Sequence, residues 1–216
     1  MKEFAIIGLG RFGTSLAKTL VNLGHSVLAI DSSEERVQQI SEIVSHAAQA
    51  DATDEEALKA LGIRNFDVVI VAIGQDIQAS ILATIILKDL GVKTVIAKAV
   101  NELHGKVLEK IGVDKVVYPE RDMGNRLAHA LTTSNVLDYM ELTPDYSIEE
   151  IVVPERMHGK SLGNLNLRAK YGISVIAIKK PGGCLIPGPG ADSVFEPGDV
   201  AVVIGTRKGL KHLEEK

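Results

Sequence analysis

The chain has one cysteine, no run of basic residues and no long apolar stretch, and each scarcity removes a class of function. Cys184 cannot form an internal disulfide and has no histidine or second cysteine beside it, which suits a reducing cytoplasm. No apolar run reaches the ~18 residues that span a bilayer, so a membrane role would have to come through a partner. The chain starts on a strand-like segment, Glu3-Phe4-Ala5-Ile6-Ile7, without the basic start, apolar core and small-residue cleavage site of a signal peptide. Lys and Arg number 24 against 28 Asp and Glu, a net charge of −4, and no basic stripe is available for a phosphodiester backbone, so nucleic acid is excluded as a partner. Catalytic signatures are missing too. The six histidines, His25, His46, His104, His129, His158 and His212, are scattered without metal-ligand spacing, and there is neither a Gly-x-Ser-x-Gly turn nor a phosphate-loop lysine.

What is present is an ordinary globular composition, 45% hydrophobic and 24% charged, over 216 residues, a length that fits one full domain and a smaller companion. Six short apolar runs rich in β-branched residues predict strands: Phe4 to Gly8, Ser26 to Ile30, Val44 to Ala50, Asp67 to Ala72, Lys93 to Lys98 and Lys115 to Tyr118. Segments of helical period lie between them, at Arg11 to Leu23, Ser33 to Glu42, Asp54 to Leu61, Asp76 to Leu90 and Leu103 to Ile111. Strict alternation of this kind predicts a doubly wound, Rossmann-like α/β domain around a parallel sheet. Gly24, Gly62, Gly91 and Gly112 follow four of the helices and suit the left-handed residue that stops a helix. The segment Asp76 to Leu87 is apolar almost all round, so a second surface should cover it, either deep within one domain or at a subunit interface.

One more helix, Glu120 to Leu131, precedes the polar stretch Thr132-Thr133-Ser134-Asn135, which reads as a linker. Residues 1–134 are therefore expected to form the nucleotide-binding domain and 135–216 a small α+β domain. In the latter, Ile148 to Val153, Ile173 to Lys179 and Asp199 to Gly205 read as strands, Ser161 to Tyr171 and Lys208 to Glu215 as helices, and Pro181-Gly182-Gly183 and Pro187-Gly188-Pro189-Gly190 as turns.

The chemistry concentrates in Gly8-Leu9-Gly10-Arg11-Phe12-Gly13, which follows an expected strand and opens an expected helix. In that context Gly8 allows the tight turn, Gly10 lets backbone approach a phosphate, and Gly13 lets helix and strand pack closely. The helix N-terminus then offers free N–H groups and positive dipole to the phosphates. Asp31 follows the second strand at the interval where a carboxylate accepts hydrogen bonds from a ribose, a placement that disfavours a 2′-phosphate; the same position also suits a cap for the next helix. Arg11 is a cation useful against several phosphate charges, unless it is merely a surface arginine.

These residues, together with Asp51-Ala52-Thr53, Val71-Ala72-Ile73-Gly74, Ala97-Lys98-Ala99 and Tyr118-Pro119-Glu120 followed by Met123-Gly124, resemble the cytoplasmic RCK (regulator of potassium conductance) subunits of the Ktr and Trk potassium uptake systems. The resemblance extends through Gly159-Lys160-Ser161-Leu162, Leu167 to Gly172 and Pro197-Gly198-Asp199. It implies a non-enzymatic subunit that binds ATP, ADP or NAD, pairs into homodimers and assembles into a gating ring beneath a separate membrane-embedded potassium-translocating subunit. It would thus be cytoplasmic, held to the inner face of the membrane through its partner. By this resemblance Asp51 and Thr53, with Ala52, lie beside the adenine, Asp31 on the ribose, Arg11 near the terminal phosphates, Ala72, Ile73 and Gly74 along the nucleotide, and Lys98 in contact with it. Glu120 would help hold a Mg or Ca ion, or be simply a helix-start carboxylate. Cyclic di-AMP binding in the second domain would use Arg168, Ile173, Val175 and Pro187, although Asn166 and Ser174 replace the acidic residue and the asparagine that such a site uses; these residues could instead pack the small domain. The competing reading of the same turn is an NAD-dependent regulator or oxidoreductase, weakened by the lack of a catalytic base. A redox-responsive transcription regulator lacks its basic reading helix.

Overall fold

The computed structural model describes residues 2–132 and 135–214. Thr133 and Ser134 of the expected linker, and Glu215 of the last expected helix, lie outside the described residues. The chain divides into two compact units, Met1–Glu120 and Arg121–Lys216.

In the first unit β1 (Glu3–Ile7), α1 (Arg11–Asn22), β2 (Ser26–Asp31), α2 (Glu34–Ser41), β3 (His46–Gln49), α3 (Glu55–Ala60), β4 (Val68–Val71), α4 (Ile77–Asp89), β5 (Val95–Lys98), α5 (Glu102–Ile111) and β6 (Lys115–Val117) alternate as expected. The strands form one parallel sheet in the order β3-β2-β1-β4-β5-β6. The alternation of side chains explains why both faces are covered. Ala5 and Ile7 of β1 point to a core shared with Leu58 of α3, Leu87 of α4 and Leu108 of α5. Ile6 points to the opposite core, with Ala17 of α1 and Ile40 of α2. Gly24, Gly62, Gly91 and Gly112 all have positive φ, as a helix stop requires.

α4 resolves the question raised by its sequence. Ser80, Ala83, Thr84 and Leu87 are buried, and the Thr84 hydroxyl satisfies itself by donating to the Ser80 carbonyl at 2.7 Å. Ile77, Leu82 and Ile85 remain 37%, 40% and 37% exposed, so the helix is not enclosed on all sides by its own domain.

α6 (Pro119–Thr132) opens at the end of the first unit and has no buried residue. The second unit continues with β7 (Val136–Thr143), β8 (Tyr146–Val152), α7 (Leu162–Leu165), α8 (Leu167–Tyr171), β9 (Ser174–Lys179), β10 (Leu185–Pro187), β11 (Val200–Thr206) and α9 (Arg207–Glu214). Its strands form an antiparallel sheet ordered β10-β9-β11-β8-β7, over a core that includes Ile151, Ile178, Phe195, Val203 and Leu210.

Three details depart from the sequence expectation. The helix expected over Ser161 to Tyr171 is two short helices, because Asn166 takes the left-handed conformation (φ 48, ψ 44) that ends the first. Edge strand β7 is not foreseen because its apolar residues do not alternate with polar ones: Val136 and Tyr139 are buried, whereas Leu137, Met140 and Leu142 are exposed, so the period-two signal is missing. Pro187, expected in a turn, is the last residue of edge strand β10, a position where a missing N–H is tolerated.

Leu87→Ala should cost about 2–5 kcal/mol in denaturant unfolding, the range for a fully buried leucine. Leu82→Ala on the exposed face of the same helix should cost less than about 1 kcal/mol; a loss as large as that at Leu87 would show that another surface covers it.

Candidate functional site

Helices on both faces of a parallel sheet leave the carboxyl ends of the strands as the open crevice, deepest where the chain order reverses beside β1. Ile7 accepts from Ala72 N at 2.7 Å, and Gly8 N donates to the Ile30 carbonyl at 2.8 Å. The glycine turn therefore emerges where β1, β2 and β4 end. A cavity of about 760 Å³ opens there, within the range of small-molecule sites.

Of the residues expected from sequence, Gly8, Gly10, Arg11, Phe12, Asp31, Asp51, Ala52, Thr53, Ala72, Ile73, Gly74, Lys98 and Glu120 line this one cavity. Leu9 and Gly13 do not line it; they build its wall. Leu9 is buried, and its N–H donates to Asp31 Oδ2 at 2.6 Å. A Cβ on Gly13 would overlap the Gly8 carbonyl oxygen, which is the close helix-to-strand packing that the third glycine allows.

The other two glycines differ in kind. Gly8 has φ +98, and a Cβ there would meet Ile73 N at 2.9 Å, so the fold itself demands glycine. Gly10 has φ −70 and a Cβ there would meet nothing within 4 Å. Neither backbone strain nor packing within the chain explains it. Gly10 also caps α1 without any side-chain hydrogen bond, and the first turn holds no acidic residue but Arg11. A helix N-terminus with a cation in place of a carboxylate is complementary to an anion.

Asp31 performs a structural task that its sequence position only half suggested. It is buried, and besides Leu9 N it accepts from Ser33 N at 2.9 Å and stands 3.4 Å from the Arg36 guanidinium. The carboxylate thus ties the glycine turn to the start of α2. Arg36 lines the cavity and was not anticipated; its signal was its place in the first turn of α2, five residues after Asp31. Ser32, Gln75, Asp76 and Val100 also line the cavity without having been anticipated.

Asp51 Oδ1 accepts from both the N–H and the hydroxyl of Thr53, each at 2.8 Å. These two bonds hold its carboxyl below the ordinary 3.8. At another part of the wall Lys98 Nζ contacts Glu120 Oε1 at 2.5 Å and lies 5.9 Å from the centroid of the Phe12 ring. The lysine's hydrogen bond is the main reason that Glu120 is held below its ordinary 4.5, with the charges of Lys98 and Arg11 adding to it. Among the described residues no cluster of three or more His, Cys, Asp or Glu could hold a metal ion, and no helix is long and apolar enough to cross a membrane.

The second unit has its own cavity of about 380 Å³, lined by Arg168, Ile173 and Val175 with Asn166, Ser174 and Leu162. Pro187 does not line it; Pro189 does.

Residues 4–119 match the TrkA-N domain family and residues 148–216 the TrkA-C domain family. The chain belongs to the TrkA-N/TrkA-C family. Its relatives include the Ktr system potassium uptake proteins C and A of Bacillus subtilis (strain 168). They are 51% and 47% identical to it, over 100% of this chain and 97% and 96% of theirs. Ktr system potassium uptake protein A of Vibrio alginolyticus is 41% identical over 97% of this chain and 94% of its own. Among solved structures, the TrkA-N/TrkA-C chain shares its fold with the GsuK channel (TM-score 0.73, 20% identical) and with the GsuK channel bound to NAD (TM-score 0.71, 18% identical); both matches cover 100% of this chain and 40% of the other.

Thr53→Val removes one of the two donors to Asp51. The Asp51 carboxyl should then titrate closer to 3.8, as followed by NMR of its side-chain carboxyl carbon. Because the folded value is depressed, the stability supplied by these bonds is present above 3.8 and is lost as pH falls through the lowered value. The variant should narrow that acid-dependent part of the unfolding curve.

Proposed function

We propose that this chain is a cytoplasmic regulatory subunit of a Ktr-type potassium uptake system, one that binds an adenine nucleotide, ATP/ADP or NAD, in the cavity of its first unit and passes the binding state to a separate membrane-embedded potassium-translocating subunit. The observation that carries this is Gly10. It is an unstrained glycine with empty space beside it, at an uncapped helix N-terminus with Arg11, in a chain 51% identical over its whole length to Ktr system potassium uptake protein C. Space left at that point suits a phosphate that approaches the backbone. Arg11 and Lys98 supply cations for several phosphates. Both Asp31 oxygens are engaged, Oδ2 by Leu9 N and Arg36 and Oδ1 by Ser33 N, and Oδ1 keeps a second lone pair that would accept from a ribose hydroxyl. Asp51, Ala52 and Thr53 would flank the adenine, and Ala72, Ile73 and Gly74 the length of the nucleotide.

A Mg or Ca ion would be held by Glu120 together with phosphate oxygens, since Glu120 alone is too few donors. Binding rather than turnover is the chemistry assigned to the cavity: Asp31, Asp51 and Glu120 each accept hydrogen bonds from the chain's own donors, at Leu9, Ser33, Thr53 and Lys98, and the relatives are potassium uptake proteins. Control of potassium flux requires that two ligands differ in affinity for two arrangements of the subunit. Pairing into homodimers and a ring supplies those arrangements, with the exposed apolar face of α4 at Ile77, Leu82 and Ile85 available as a subunit contact. The cavity of the second unit, with Arg168, Ile173 and Val175, is the place for cyclic di-AMP.

Gly10→Ala separates fold from function. The variant should unfold within about 1 kcal/mol of the wild type, the size of an N-cap change, yet bind nucleotide roughly tenfold more weakly, since a methyl group occupies the phosphate approach; unchanged affinity in calorimetric titration would overturn the site. Arg11→Ala should weaken ATP more than ADP, and equal losses would remove its assigned contact with the terminal phosphate. A thermal-shift panel of ATP, ADP, AMP, NADH, NADPH and cyclic di-AMP, with and without magnesium, should show stabilisation by ATP and ADP. Stabilisation by NADPH alone would overturn Asp31 as the ribose acceptor.

A further inference from the structure

Lys98 brings into the cavity a cation that is already engaged. The residue is 8% exposed, its ammonium lies 2.5 Å from Glu120 Oε1 and 5.9 Å from the centroid of the Phe12 ring, and a Cβ on Gly74 would come within 3.3 Å of it. A cation so enclosed loses hydration and needs a counter-charge. Glu120 provides one, but from the other side of the solvent boundary: its side chain is 69% exposed, against 10% for the lysine. The two partners therefore differ in what separation costs them. Glu120 released from Lys98 regains water, whereas Lys98 released from Glu120 needs another anion in the same place.

We propose that Glu120 is a built-in competitor for the ligand's phosphates at Lys98, which makes this residue a determinant of specificity. Phosphate groups that reach Lys98 must displace the carboxylate, so the pair sets how far the cavity favours adenosine polyphosphates over the uncharged nucleoside. This rests on the nucleotide reading of the cavity. It assigns Glu120 an opposite sign of effect to that of a simple contact residue: in the absence of a divalent ion, removing it strengthens binding.

The test is calorimetric titration of the full chain with ATP, ADP and adenosine in EDTA. Glu120→Gln should tighten ATP and ADP roughly fivefold, the size of an ion pair with one exposed partner, and leave adenosine unchanged. Glu120→Asp keeps the charge but shortens the side chain by one methylene, so it should also tighten the two phosphates. In a Lys98→Met background, Glu120→Gln should give no further gain. A gain with Glu120→Gln that is absent from Glu120→Asp, or that persists beside Lys98→Met, would show general repulsion instead of competition and overturn the proposal. So would unchanged affinities, or an equal gain for adenosine. If Lys98→Met does not fold, the comparison of Asp with Gln at position 120 decides alone. Wild-type chain that binds none of the three ligands overturns the nucleotide site and this proposal with it; binding that ignores position 120 overturns this proposal only.

Discussion

The hydrogen bond from Leu9 N to the buried Asp31 carboxylate, 2.6 Å long, is the contact on which the candidate site depends. It joins the turn after β1 to the residue that ends β2, and the second carboxylate oxygen carries the link on to Ser33 N at the start of α2. A charge-assisted bond inside the protein is both strong and directional, so it fixes the path of the glycine turn. The orientation of α1 follows from that path, and so does the direction of its free N–H groups. Asp31 is thus part of the wall before it is part of any binding event. The same buried carboxylate draws Arg36 to the cavity.

The remainder of the site obeys the same logic of strand ends. Six parallel strands deliver their carboxyl termini to one edge, and the residues just past β3, β4 and β5 are Asp51 to Thr53, Ala72 to Gly74, and the Lys98 region. These segments lie far apart along the chain, yet a parallel sheet places them side by side. Cations and anions are distributed unevenly in this crevice. Arg11 stands at a helix N-terminus with no acidic neighbour in its turn, whereas Lys98 is matched to Glu120. Of the three cations that line the crevice, Arg36 is held by Asp31, Lys98 is conditionally available, and Arg11 has no ion-pair partner among the described residues, an arrangement that grades anions by reach as well as by charge.

Much of this was legible in the sequence because both determinants are local. Period-two and period-3.6 patterns select strands and helices, and glycines at 8, 10 and 13 mark the turn, although only Gly8, by its φ of +98, and Gly13, by its approach to the Gly8 carbonyl, exclude other residues within the chain itself. The second unit was harder to read. β7 is half-buried at a sheet edge, β10 is three residues long, and the break at Asn166 comes from a left-handed residue that is not glycine; none of these leaves a strong periodic signal.

The sequence by itself determined the order of elements in the first unit and the position of the phosphate-type turn, since each follows from backbone geometry over a few neighbouring positions; Asp51 to Thr53, Ala72 to Gly74, Lys98 and Glu120 were expected only through the family resemblance. Only the tertiary structure decided that Gly8 and Gly13 are required by packing while Gly10 is not, that Asp31 holds the turn in place, that Arg36 joins the cavity, and that Lys98 is bound to Glu120. Those facts depend on atoms brought within a few ångströms from segments tens of residues apart, and no local pattern encodes such distances.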